Sequence, residues 1–274
     1  MEVFNMTNQL FINNEFIESQ SKETMDVINP ATGEAFDTIT LATEEEVNDA
    51  IEKSQQAQLE WERVPQHTRA EHVKLLIPLL EKNRDEIAQL YVKEQGKTLA
   101  EAYGEIDKSI SFIDYMTSLS MSDKGRVLQN SIANETIQII NKPIGVTAGI
   151  VPWNAPILVL MRKVIPAIVT GCSVVIKPSE ETTLLTLRLA ELFRASTIPA
   201  GLIQIVPGTG ETVGTQLASH KDIQLISLTG SMRAGKSVYE NAAQTVKKVN
   251  LELGGNAPVI VTSNADLDLS LIHI

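Results

Sequence analysis

Five short runs in the second half of this 274-residue sequence place charged, polar and glycine residues just after stretches rich in β-branched side chains. They are Pro152-Trp153-Asn154, Lys177-Pro178-Ser179-Glu180, Gly208-Thr209-Gly210, the loop from Gly230 to Gly235, and Glu252-Leu253-Gly254-Gly255. Lys177 and Glu180 are types that donate to and accept from sugar hydroxyls, although Glu180 equally suits an ordinary helix start beside the positive end of a helix dipole. Gly230-Ser-Met-Arg-Ala-Gly235-Lys236-Ser237 satisfies GxxxxGK[ST] letter for letter, a pattern that cradles phosphates and holds magnesium in P-loop ATPases. Against that reading, Val259-Ile260-Val261-Thr262 lacks the acidic residue that should end a metal-binding strand. Gly208, Gly210 and Gly214 do not fit GxGxxG, because three residues separate the last two.

These runs need a scaffold that brings them to one edge. From Gly145 onward, short β-branched runs at Val146–Val151, Ser173–Lys177, Leu202–Val206, Gln224–Leu228 and Lys247–Leu251 alternate with helical patterns, which is βαβ repetition. The expected fold class is therefore α/β, a mostly parallel sheet with helices on both faces. Ligands of such sheets sit at the carboxyl ends of the strands, where all five runs fall. Cys172 is the sole cysteine and lies at the opposite, amino end of its strand, so it reads as a small buried filler rather than a nucleophile. Upstream, Asn13-Asn14 marks a hairpin over residues 10–18. Capping boxes at Thr43/Glu46 and Thr68/Glu71 start two helices, the second kinked at Pro78 and ended by Gly96. A third helix runs from Leu99 to Ser120, and after Asp123-Lys124-Gly125 a period-two strand covers Thr136–Ile140. Its exposed alternation outside the βαβ core predicts an oligomer arm whose edge partner comes from another subunit or from elsewhere in a longer chain.

With 43% hydrophobic residues the chain can bury a sizeable core, and a net charge of −11 argues against a phosphate-backbone partner. Nucleic acid is thus not expected. One cysteine excludes an intrachain disulfide, and four scattered histidines offer no metal-ligand spacing. No run of about 18 apolar residues and no basic-then-apolar start over Met1–Gln9 is present, so a cytoplasmic protein with no membrane partner is expected.

Taken in order, Asn29-Pro-Ala-Thr-Gly-Glu34, Pro152-Trp-Asn154, Lys177-Pro-Ser-Glu180, Thr229-Gly-Ser231 and Leu251-Glu-Leu-Gly-Gly-Asn-Ala-Pro258 resemble the aldehyde dehydrogenase superfamily over nearly the whole chain. The segments Gly210–Gly214 and Thr229–Ser231 look most like the lactaldehyde, glycolaldehyde and succinate-semialdehyde type members. The resemblance implies a Rossmann-like cofactor domain at 145–274, an arm strand at 124–144, and an N-terminal helical region at 1–123 packed on the cofactor domain. It implies NAD as cofactor, with NADP possible, a small aldehyde substrate, and a homo-oligomeric parent protein. It makes Asn154 the oxyanion donor and Glu252 the general base. It places the cofactor against Ile150, Val151, Pro152, Trp153, Lys177, Ser179, Glu180, Gly210, Gly214, Thr229, Gly230, Ser231, Gly235, Leu253 and Gly254. Ser231 caps the helix whose N-terminus receives the pyrophosphate. A carboxylate at Glu180 disfavours a 2′-phosphate, hence NAD over NADP. The catalytic cysteine of such enzymes lies downstream of the glutamate motif, so this chain is expected to be a fragment lacking that domain. Residues 257–268 continue the pattern with a strand and an acidic turn, and 269–274 depart from it at the start of a further helix. A nucleotide-binding or interaction module without turnover is the competing function, and a P-loop ATPase the third.

Overall fold

The computed structural model describes residues 9–122, 125–132 and 134–268. The expectations about 1–8, the Asp123-Lys124 break and the helix beginning at 269–274 lie outside those residues.

Chain order begins with a hairpin of β1 (Gln9–Ile12) and β2 (Glu15–Glu18), whose two-residue turn holds Asn13 at φ 56° and Asn14 at φ 65°. Both are left-handed, the conformation that a two-residue hairpin loop demands and that asparagine tolerates. A second antiparallel pair follows, β3 (Thr24–Asn29) and β4 (Glu34–Thr40). Helix α1 (Glu44–Trp61) opens on the expected capping box, with Thr43 and Glu46 satisfying each other's backbone N–H groups.

The next helical stretch is three helices, α2 (Gln66–Lys74), α3 (Leu76–Lys82) and α4 (Arg84–Gln95), the last ending on left-handed Gly96. Two expectations are corrected here. Pro78 does not kink one helix; it has no N–H to give Lys74, so α2 stops at Lys74 and a new helix starts. Thr68 is inside α2, whose N-cap is Pro65 with no side-chain cap, so no capping box exists there. Helix α5 (Leu99–Ser120) has the bounds expected and a capping box at Thr98/Glu101.

Strands β5 (Arg126–Gln129) and β6 (Thr136–Ile139) pair antiparallel, every residue of both exposed. The strand expected at 136–140 pairs with Arg126–Gln129, a strand the sequence reading did not locate, and the two form a β-hairpin in the arm segment at 124–144. Then come β7 (Val146–Ile150), α6 (Pro156–Val169), β8 (Ser173–Lys177), α7 (Thr183–Ala195), β9 (Ile203–Ile205), α8 (Thr215–Ser219), β10 (Leu225–Gly230), α9 (Met232–Ala243) and β11 (Lys248–Leu253). Residues 254–262 form no strand, contrary to expectation. Val259 is 68% and Ile260 84% exposed, so the apolar run has no face to pack on among the described residues.

The central sheet runs β11-β10-β7-β8-β9-β1-β2, with β7 to β11 all parallel and the β1–β2 hairpin added antiparallel on β9. Numbering the five parallel strands in chain order gives 3-2-1-4-5, so the order reverses at β7, the doubly wound Rossmann-like arrangement whose ligands sit at that reversal. Successive residues of β8 face opposite ways, Val174 and Ile176 into the layer of α6 and α7, Val175 into the layer of α1, α8 and α9. Each fully buried side chain of this kind stabilises the fold by about 2 kcal/mol.

Candidate active site at the carboxyl edge of the sheet

At the reversal, the ends of β7, β8 and β10 and the N-terminus of α9 enclose a cleft of about 450 Å³. Of the residues expected to meet a cofactor, Ile150, Val151, Lys177, Ser179, Glu180, Gly210, Gly214 and Ser231 line it. Lys177 ends β8 with its side chain 3% exposed, and its ammonium donates to Pro178 O at 2.9 Å and to Glu180 Oε2 at 3.1 Å. Burial lowers the Lys177 pKa, and the Glu180 charge opposes that. The other Glu180 oxygen accepts the Gly210 N–H at 3.0 Å, so the carboxylate bridges the β8 loop to the turn at Gly210–Gly214. Ser231 caps α9 by accepting the Ala234 N–H, leaving the N–H groups of Met232 and Arg233 without intrahelical acceptors at the mouth of the cleft.

This donor set fits a dinucleotide. A buried ammonium and a fixed carboxylate suit vicinal hydroxyls, a capped helix N-terminus suits a phosphate, and Ile150, Leu228 and Val238 supply apolar wall. Sequence reasoning missed Arg233, Ser237 and Asn241, which reach the cleft from successive turns of α9. The three-to-four-residue spacing of 233, 237 and 241 is the signal that could have found them.

The P-loop reading is corrected by the same helix. From Met232 onward the motif is helical, so there is no long loop to wrap a phosphate chain, and Gly235 has a packing role instead. A Cβ on Gly235 would stand 2.7 Å from Leu253 Cδ2, so only glycine lets α9 lie this close to β11.

A second cluster forms one strand over. In the parallel register Thr229 faces Glu252 across β10 and β11, making Glu252 the penultimate residue of a strand rather than part of a turn after it. Lys163 reaches this place from α6, donating to Ser227 Oγ at 3.0 Å and Thr229 Oγ1 at 3.1 Å. Burial pulls its pKa down to about 8, while the Glu252 carboxylate pushes the other way. Room for its stem comes from Gly149, where a Cβ would meet Ile176 Cδ1 at 2.7 Å and Lys163 Cδ at 3.0 Å. Sequence reasoning missed Lys163 too. Its signal is a lysine on the buried face of an otherwise apolar helix.

The remaining residues lie around these two clusters. Trp153 is 55% exposed and borders a separate hollow with Ile28, Pro30, Glu94, Gln95 and Glu181, not the main cleft. Asn154 is exposed on the loop before α6, and Pro152 precedes it. Gly230 and Leu253 are register partners at the strand ends, and no neighbour crowds Gly254. Cys172 is 3% exposed at the entry to β8, five residues before Lys177, about 16 Å away at strand rise. Among the described residues no group of three or more potential metal-ligating side chains is found, and no helix is long and apolar enough to cross a membrane.

A doubly wound sheet with a lined cleft at its reversal defines a class of α/β ligand-binding folds. The chain belongs to the aldehyde dehydrogenase family, whose sequence model matches residues 16–273. It is similar to the Escherichia coli succinate-semialdehyde dehydrogenase (NADP(+)), 38% identical over 95% of this chain and 54% of the relative. It is likewise similar to lactaldehyde dehydrogenase of Escherichia coli, 36% identical over 96% of this chain and 55% of the relative. A solved structure of betaine aldehyde dehydrogenase from Staphylococcus aureus in complex with NAD+ superposes with TM-score 0.89 at 35% identity, covering 97% of this chain and 55% of that one. The chain spans about half the length of the curated relatives it matches.

Proposed function

We propose that this chain is the dinucleotide-binding part of an NAD(P)-dependent enzyme oxidising a small polar aldehyde to a carboxylic acid. The observation that carries the proposal is the cleft at the strand-order reversal, where Lys177, Glu180 and the capped N-terminus of α9 converge. Lys177 and Glu180 would hold the ribose hydroxyls, and the N–H groups after Ser231 would hold the pyrophosphate. The bound nicotinamide supplies the hydride acceptor. Asn154 serves as amide donor to the developing oxyanion, and Glu252 accepts a proton from water. NAD is preferred over NADP, because a 2′-phosphate would approach the Glu180 carboxylate. The dehydrogenase names of relatives acting on semialdehydes and lactaldehyde support the small polar substrate.

Such an oxidation begins with a thiolate adding to the aldehyde carbon. Cys172 does not supply it: the residue is buried at the far edge of the sheet, five residues and about 16 Å of strand from Lys177. We assign the nucleophile to residues outside these 274, and the competing reading of a binding module without turnover describes this chain taken alone. The division into an N-terminal region, 1–123, an arm, 124–144, and a cofactor domain, 145–274, belongs to the same proposal. So does oligomerisation through the arm, which exposes Val127, Ile137 and Ile139 at 69%, 41% and 41%.

Titration of the purified chain with NAD and NADP in a calorimeter tests the proposal. Saturable NAD binding, at least several-fold tighter than NADP, is expected. Tighter NADP binding overturns the preference, and no binding of either overturns the reading of the cleft.

A further inference from the structure

The loop carrying Asn154 is tied down by residues that neither line the cleft nor belong to any motif above. Helix α6 starts directly after it, and its N-cap, Ala155 at φ −145° and ψ 59°, has no side chain able to cap. Helices α1, α5 and α9 each begin on a serine or threonine that serves this purpose locally. For α6 the cap comes from another element. Glu105, in the second turn of α5 and 6% exposed, turns Oε1 to the N–H groups of Ile157 at 3.0 Å and Leu158 at 3.1 Å. Its Oε2 accepts the Tyr91 hydroxyl of α4 at 2.6 Å and the Lys97 ammonium at 2.9 Å. Lys97 also donates to the Tyr91 oxygen at 2.9 Å and, with its third proton, to the backbone carbonyl of Asn154 at 2.8 Å.

Every donor and acceptor in this network is used, and its outermost bond goes to the peptide that sets the direction of the Asn154 side chain. A carboxylate that served only to cap α6 would need neither the lysine nor the carbonyl beyond it. We propose that Lys97, held by Glu105 and Tyr91, is a positioning residue that fixes the Asn154 loop and so aims its side-chain amide. The consequence for catalysis rests on the oxyanion role proposed above; the positioning itself does not. A misplacement of about 1 Å at an oxyanion donor is enough to lose most of its effect, which gives a rigid tether here a function beyond helix capping.

The test uses the full 274-residue chain labelled with nitrogen-15, in wild type, Lys97→Met, Lys97→Arg and Glu105→Gln. In Lys97→Met the Trp153 indole and Asn154 side-chain amide resonances should shift or broaden while the rest of the spectrum holds. Lys97→Arg, which keeps a cationic donor, should restore them. In Glu105→Gln, hydrogen exchange at the Ile157 and Leu158 amides should accelerate about tenfold or more. Unmoved Trp153 and Asn154 signals in folded Lys97→Met overturn the proposal, and so does an arginine variant as perturbed as the methionine one. If Glu105→Gln fails to fold, the two Lys97 variants still decide. Absence of dinucleotide binding in the same samples would count against the cleft reading alone, because these resonances report the loop without ligand.

Discussion

Helix α6 joins the two edges of the central sheet, and its two ends are treated in opposite ways. At the amino edge its last carbonyls and the turn that follows are closed off: Trp61 Nε1 donates to Ile168 O at 2.8 Å, Arg69 Nε to Val169 O at 2.9 Å, and Gln58 to Gly171 O at 3.0 Å. All three donors are buried side chains from α1 and α2. At the carboxyl edge, the loop before α6 leaves Trp153 and Asn154 exposed, and the neighbouring loops leave N–H groups, an ammonium and a carboxylate facing a cleft. One edge satisfies its polar groups internally and is stable for that reason; the other keeps donors and acceptors available and can bind.

The largest effect should come from opening the closed edge. Arg69→Met removes donors to Val169 O, Val64 O at 2.7 Å and Glu62 O at 3.3 Å, in a place where water does not replace them. A loss of about 4 kcal/mol in urea unfolding is expected, with NAD affinity of the folded protein unchanged. A loss below about 1 kcal/mol would show that the amino edge is not sealed in the way described.

A smaller effect reads the open edge through pH. Lys163 is held near pKa 8 by burial, while in the unfolded chain it titrates near 10.4. Between those values the unfolded chain holds a proton that the native protein has released, so the stability contributed by this group rises as pH rises through that window and is lowest below pH 8. The full rise for this group is about 3 kcal/mol. Lys247, also pulled to about 8 by burial, adds to the same slope. Urea midpoints from pH 7.5 to 10 should therefore climb in the wild type and climb less in Lys163→Met. An identical slope in the two would place the Lys163 ammonium in water rather than between Ser227 and Thr229.

What the sequence disclosed follows the same division. The five parallel strands from Val146 onward, the first hairpin, the α5 bounds, the capping box at Thr43 and Ser231's cap were legible because each depends on neighbours within a few residues. The eight cleft residues were found through motif resemblance, since they sit at strand ends or in the short turns that follow. Lys163, Glu105 and Lys97 were not found, because each acts across 52 to 66 residues of chain, on Thr229, Ile157 and Asn154, and only the packing of α5 and α6 against the sheet brings them there. Pro78 and Thr68 misled for the converse reason. Both carry a genuine local signal, but the missing N–H of Pro78 ended one helix and began another, and Pro65 had already started the first.

The finest test of the comparison sets two helix caps of one chemistry against each other. Ser231 and Thr43 both accept the N3 backbone N–H of their helices, from Ala234 at 3.2 Å and Glu46 at 3.2 Å. Removing either hydroxyl leaves one N–H without its partner, so Ser231→Ala and Thr43→Ala should each cost about 1 kcal/mol in urea unfolding. Stability alone cannot tell the two caps apart. Their surroundings can: Ser231 lines the cleft, whereas Thr43 is engaged with Glu46, whose carboxylate also accepts from Ser19 and the Gln20 backbone. Ser231→Ala should weaken NAD binding about ten- to a hundredfold, the worth of one hydrogen bond to a charged phosphate, and Thr43→Ala should leave it unchanged. Equal losses of affinity in the two variants would mean that the cofactor senses only the general stability of the fold. The carboxyl edge would then differ from the amino edge in exposure but not in function.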